Sequence, residues 1–272
     1  MSHAQAALQE LQEHSHYYFQ PSQFAALVAH KLSREKPVEA LYRLTRLGRA
    51  VCVTRKPPGY LLVPAEHAKT GAPPLTWWLD ACMQNIDPRY YVGLLSAARY
   101  WNGNPPAHRV EVTVSHPHPP LTPGQLLVTF NHKARASATP VAVIREEQSS
   151  WRVSTRAATF LDLLRHPERC GGLEAILNHS RIWVPDIDPS ELLVALECLG
   201  QAPAVQRAGF LLERLSQQSL AQCAYDWLCR SRTGRRSQFL DTDVMRHQPS
   251  NDRRWQIRFD PRQVARFSPK IG

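Results

Sequence analysis

Arg43 and Arg46 stand three residues apart in a stretch that also holds Ser33, Arg34, Lys36 and Tyr42, with Arg55 and Lys56 a few residues further on. Guanidinium groups pair bidentately with the N7 and O6 edge of guanine in the DNA major groove. Lysines and the remaining arginines neutralise phosphates and fix register without reading sequence. The plainer alternative is a small helical domain with a solvated basic face. A second basic grouping, Arg230, Arg232, Arg235 and Arg236 around Gly234, reads either as a solvated loop or as a contact for DNA, RNA or a protein partner.

Other chemistry is thinner. Asp186-x-Asp188 and Asp241-x-Asp243 each offer two carboxylates to a divalent cation. A nuclease or nucleotidyl-transfer centre needs further carboxylates converging from elsewhere, and Asp188-Pro189-Ser190 reads equally as the start of a helix. His14-x-His16 and His116-x-His118 read as solvated rings rather than zinc ligands, the second pair in a proline-rich loop. The sequence has no Gly-x-Ser-x-Gly, His-Glu-x-x-His or phosphate-loop pattern. The reading is of a non-enzyme without metal or cofactor.

The elements that must position the first basic group run from about Tyr18 to Pro64. Pro21-Ser22 opens a helix, with Ser22 as a candidate cap and Phe24, Ala25, Leu27 and Val28 behind it. After a turn at Lys31-Leu32, Ser33 can cap a second helix that tolerates Pro37 in its first turn. Val38, Leu41, Leu44 and Leu47 form its expected inward stripe, and Gly48 ends it in a left-handed conformation. Val51–Thr54 and Tyr60–Val63 read as strands around the turn Arg55-Lys56-Pro57-Pro58-Gly59. Helix, turn, helix and wing is an order that suits DNA, with the second helix in the groove and the wing on phosphates.

Charge supports a polyanion partner. Residues 1–67 hold 8 basic and 5 acidic side chains, 68–199 hold 12 of each, and 200–272 hold 13 and 6. The excess therefore sits at the two ends of a 272-residue chain, long enough for one large or two modest domains. No apolar run suits a signal peptide or a membrane helix, and the six scattered cysteines lack a Cys-x-x-Cys pair. They read as reduced, mostly buried thiols of a cytoplasmic protein.

Residues 1–16 suggest a first helix packed on the winged unit. A linker is expected near Lys69–Pro74, and beyond it a helix over Leu75–Met83 and a buried helix over Tyr90–Ala98. Strands follow at Arg109–Ser115, Leu126–Asn131, Val141–Glu146 and Trp151–Ser154. Thr155 caps a helix over Ala157–Arg165 that closes at His166-Pro167. Gly171-Gly172 then satisfies a backbone bend and opens Leu173–Asn178. Helices at Ser190–Cys198, Ala204–Leu215 and Leu220–Arg230 precede a polar loop and a final strand, Trp255–Phe259.

The winged unit followed by PPLTWWLDACM, RYYVGLLSAARYWN, WRVSTRAATFLDLLRHPERCGGLEAIL, RAGFLLERL and RRWQIRFD resembles the AbiEi family of antitoxins, from about Tyr18 to Phe259. Val153–Leu177 carries the resemblance most specifically. The family often has proline where Arg156 stands, and the loop His116–Pro123 is individual. The resemblance implies a regulator of a type IV toxin–antitoxin operon, of the kind linked to phage defence. It would bind inverted repeats of its own promoter and counter a nucleotidyltransferase-like toxin without a stable complex, with dimerisation or cooperative binding on DNA.

The expected fold is α+β: a winged helix-turn-helix over residues 1–70 and a larger mixed α/β antitoxin domain over 71–272. The competing reading is a winged-helix transcription factor whose C-terminal domain senses a ligand.

Overall fold

The computed structural model describes residues 3–29, 36–105, 107–146, 149–231, 236–241 and 249–266. Contacts group the chain into two units. The first comprises 1–92, 106–137 and 143–152, and the second 93–105, 138–142 and 153–272. The fold is mixed α+β.

The first unit begins with α1 (His3–Glu13), β1 (Tyr18–Phe19), α2 (Pro21–Ala29), α3 (Pro37–Arg46), β2 (Ala50–Arg55) and β3 (Pro58–Leu62). The strands form an antiparallel sheet in the order β1-β3-β2, with Tyr18 opposite Leu61 and Val51 opposite Leu61 from the other side. Its core takes Ala7 and Leu11 from α1, Phe24 and Val28 from α2, and Leu41 and Leu44 from α3, all 5 % exposed or less. Phe19 packs 6.0 Å, ring to ring, from both Phe24 and Tyr60. Each of these large side chains contributes about 1.5–3 kcal/mol by leaving water.

α2 opens at Pro21 as expected, but its cap, like the start of α3, differs from the sequence expectation. Ser22 is exposed within α2; the residue before the helix is Gln20, whose backbone N–H donates to Gln23 Oε1 at 2.7 Å. That is one half of a reciprocal cap, in which a side chain three residues in reaches back over the first turn. α3 starts at Pro37 and not at a Ser33 cap. Lys36 flanks it with φ −70° and ψ 139°, because a residue before proline is pushed out of the helical region while proline suits the first helical position. Ser33 and Arg34 lie outside the described residues.

α4 (Leu79–Ile86) follows a short 3-10 turn at Leu75–Trp77, where one helix was expected. The apolar run Tyr90–Ala98 is likewise divided, into β4 (Tyr91–Val92) and α5 (Leu94–Trp101). Tyr91 and Val92 pair with Thr113 and Val112, so the sheet claims them before the helix begins. β4 joins β5 (Arg109–Val114), β6 (Leu127–His132), β7 (Val141–Glu146) and β8 (Ser149–Ser154) in a five-stranded sheet of order β6-β5-β4-β8-β7. β5 and β6 are parallel. The backbone near Lys69–Pro74 is tied down within this unit: Gln125 N–H donates to Thr70 O at 2.9 Å, and Ala72 and Leu75 are buried.

The second unit is helical, with α5, α6 (Arg156–Arg165), α7 (Gly172–Ser180), α8 (Pro189–Leu199), α9 (Ala202–Arg214) and α10 (Gln218–Arg230). A small sheet follows in the order β10-β11-β9, from β9 (Gln238–Phe239), β10 (Ser250–Asp252) and β11 (Ile257–Phe259), and then α11 (Pro261–Ala265). α6 is the centre: every residue from Ala157 to Leu164 is buried, and α5, α8 and α9 pack around it. A helix apolar nearly all round belongs in the middle of a core.

Its start is fixed by polar groups. Thr155 Oγ1 accepts from Ala158 N–H at 3.3 Å as the sequence predicts, and Glu191 Oε1 of α8 accepts from Ala157 N–H at 2.9 Å. Arg156 occupies the first helical position, where proline is also favoured, so this departure from the family pattern leaves the helix start intact. Gly171 and Gly172 have φ of 76° and 82°, a left-handed pair that side chains resist.

Candidate nucleic-acid interface

α3 closes in a cap that fits its sequence. Gly48 has φ 66°, its N–H donates to Thr45 O, and Arg49 N–H donates to Leu44 O. These paired bonds satisfy the last carbonyls of the helix. The chain then enters β2 at Ala50, and Arg55 faces Pro58 across the turn at Lys56-Pro57. Thr54 Oγ1 donates to Pro57 O at 2.8 Å and ties the turn to the strand.

Lys36, Tyr42, Arg43 and Arg46 are exposed on and beside α3, and Arg55 and Lys56 are exposed at the hairpin tip. The sequence expectation thus holds for the exposure of these six side chains. It fails for the apolar stripe. Leu41 and Leu44 are buried, but Val38 is 75 % and Leu47 62 % exposed. Residues three apart step back about 60° around a helix, so a series of four drifts through about half a turn. The buried arc is instead Ala40, Leu41 and Leu44. Val38 and Leu47 are therefore surface residues beside the arginines, which helix-angle arithmetic on the sequence would have shown. Arg49, just past the cap, is exposed as well and adds a positive charge that the sequence expectation does not include.

The second basic group belongs to the second unit. Arg230 and Arg236 are exposed, while Arg232 and Arg235 lie outside the described residues. Arg230 Nε donates to Asp226 O at 3.3 Å, and Arg236 O accepts from Gln206 Nε2 at 3.0 Å.

The carboxylate pairs take structural positions where they are described. Asp188 Oδ1 accepts from Ser190 N–H at 2.7 Å and starts α8. Asp243 lies outside the described residues, and among those described no three His, Cys, Asp or Glu converge as metal ligands. His118 is half-buried with its ring 4.8 Å from Phe130, where a solvated ring was expected. The cysteines are free, but only Cys82 and Cys170 are buried. Cys52, Cys198 and Cys229 are exposed on outward faces, against the expectation of mostly buried thiols. Burial raises the Cys82 thiol to about 12, which keeps it protonated at neutral pH. No helix among the described residues is long and apolar enough to cross a membrane.

The comparison with curated proteins gives no match. Among solved structures, the crystal structure of the RV2827C protein from Mycobacterium tuberculosis is similar at 15 % identity. Its TM-score is 0.68, over 97 % of this chain and 93 % of that one. At that identity the likeness concerns the fold. The family model for the AbiEi antitoxin C-terminal domain matches residues 91–214. That span runs from β4 to the end of α9 and includes the strand-Ser-Thr entry to α6 and the Gly171-Gly172 bend. Over residues 91–214, then, the chain is similar to the AbiEi antitoxin C-terminal domain family.

Proposed function

We propose that this protein is a DNA-binding antitoxin that represses its own operon and counters a nucleotidyltransferase-like toxin. Residues 1–70 act as a winged helix-turn-helix, with α3 in the major groove and the β2–β3 turn as the wing. Residues 71–272 carry the antitoxin role, a division of function that does not require a break in packing at residue 70. The observation that carries the reading is the exposure of Arg43, Arg46, Arg55 and Lys56 on one helix–hairpin module in a chain with an AbiEi antitoxin domain.

Inverted repeats of the protein's own promoter are the DNA partner, bound by a dimer or by cooperating copies. The toxin is countered in the cytoplasm without a stable complex, in a system that serves phage defence. Arg230 and Arg236, exposed in the second unit, add a secondary phosphate contact.

An electrophoretic mobility shift with the protein's own upstream DNA tests the first half. The expected result is a discrete complex that an unrelated duplex does not compete away. Smearing with no preference for the upstream DNA would overturn it.

A further inference from the structure

The exposed face of α3 has an order that phosphate binding alone does not explain. Residues four apart stack one above the other on a helix. Val38, Tyr42 and Arg46 therefore form one row, and Glu39, Arg43 and Leu47 the next. Val38 is 75 % and Tyr42 67 % exposed, so neither contributes to the core of its own unit. Both lie in the first two turns of the helix, and the cation of their row follows at its C-terminal end. A surface made only to bind phosphates would carry lysine or arginine at these places.

The chemistry of the major groove supplies a match. Thymine presents a 5-methyl group there, the apolar feature on an otherwise polar edge. An apolar pair in the first turns of a groove-bound helix sits at the depth where base edges are read. We propose that Val38 and Tyr42 are specificity-determining residues that select thymine by its methyl group, with Arg46 of the same row anchoring the helix. This rests on the reading of α3 as the groove-bound helix. Arg46 within the row and Lys36 and Arg43 beside it outnumber the one bordering carboxylate, Glu39, and favour a polyanionic occupant over an apolar protein partner.

The test uses a duplex that the full-length protein selects from a library with a randomised centre. Each thymine is then replaced in turn by uracil, which deletes the methyl group and keeps every hydrogen-bonding edge. The wild-type protein should lose about fourfold in affinity at one thymine or more, the worth of one methyl group taken from water. In Val38→Ala or Tyr42→Ala the loss at that position should vanish, the ratio of thymine to uracil affinities falling to about one whatever the variant's own affinity for the uracil duplex. Both side chains are exposed, so each variant should keep the wild-type thermal midpoint. Binding that no uracil substitution weakens would overturn the proposal. So would a loss that persists unchanged in both variants, which would assign these residues to another partner. If no duplex is selected at all, the DNA-binding reading itself fails and the methyl reading falls with it.

Discussion

The hydroxyl of Ser154 lies 2.7 Å from that of Thr159, with both side chains fully buried at the start of α6. Thr159 Oγ1 also lies within hydrogen-bond distance of the carbonyls of Ser154 and Thr155, at 3.1 and 2.8 Å. The Ser-Thr entry of the resembled segment is thus a polar joint between β8 and the most buried helix of the second unit. Thr159→Val keeps the shape and removes the partner of the Ser154 hydroxyl, at a cost of about 1–3 kcal/mol. Ser154→Ala should cost less, because Thr159 retains backbone acceptors. Urea denaturation of both variants checks the order; equal losses would contradict it.

Gly209 in α9 lies against the Trp255 ring. A Cβ there would stand 2.0 Å from the ring carbons, too close for the packing to survive unchanged. Trp255 is fully buried, so the ring cannot move aside into solvent without disturbing its neighbours. Gly209→Ala should destabilise the protein by about 1–3 kcal/mol, although alanine is the better helix former. A thermal midpoint at or above wild type would show that the ring yields easily.

Asp87 sets an acid limit. Burial pushes its carboxyl up, but hydrogen bonds from Ser115 Oγ at 2.5 Å and the N–H groups of Ser115 and Arg89 outweigh it and hold it below the usual carboxylate range. A depressed folded-state value means that Asp87 contributes stability above its unfolded value of about 4, and that this is lost as pH falls through the folded value. Asp87→Asn should be less stable than wild type at pH 7, and the gap should narrow on acidification below about pH 4. A gap independent of pH would remove Asp87 from the account.

Repression and antitoxicity should separate genetically. Replacing Lys36, Arg43, Arg55 and Lys56 together with alanine removes exposed positive charge and leaves the described core untouched. Leu161→Asp places a carboxylate at a position 3 % exposed in α6, where an unpaired charge costs several kcal/mol. Each variant is co-expressed with the toxin that the proposed function requires, from a promoter the protein cannot regulate. Growth is expected to survive the charge variant and to fail with Leu161→Asp. Failure of both, at normal protein levels, would place both roles on one surface.

The legible parts of the fold were those written locally. Thr155, Gly48 and Gly171-Gly172 each fix their own stretch of backbone, so the end of α3 and the start of α6 followed from sequence. The division of Tyr90–Ala98 was not legible, because an apolar run has the same composition whether a sheet or a helix claims it, and the partner that decides is Val112–Thr113. The parallel pairing of β5 with β6 is likewise a tertiary outcome. On α3 the exposure of the charged residues and the burial of Leu41 and Leu44 agree with the sequence expectation, and only Val38 and Leu47 depart from it. Charge declares its preference for water, whereas the strict three-residue spacing of Val38 and Leu47 carries them round the helix, away from the buried arc.

The most direct measurement is the salt dependence of binding to the protein's own upstream DNA, for wild type and for the variant lacking Lys36, Arg43, Arg55 and Lys56. If these four cations meet phosphates, the slope of log affinity against log salt should fall in magnitude by about 3–4 units, at roughly 0.9 per lost contact. Affinity at moderate salt should drop by orders of magnitude in a protein with unchanged thermal stability. An unchanged slope and affinity would contradict the assignment of α3 and the β2–β3 turn as the DNA-binding surface.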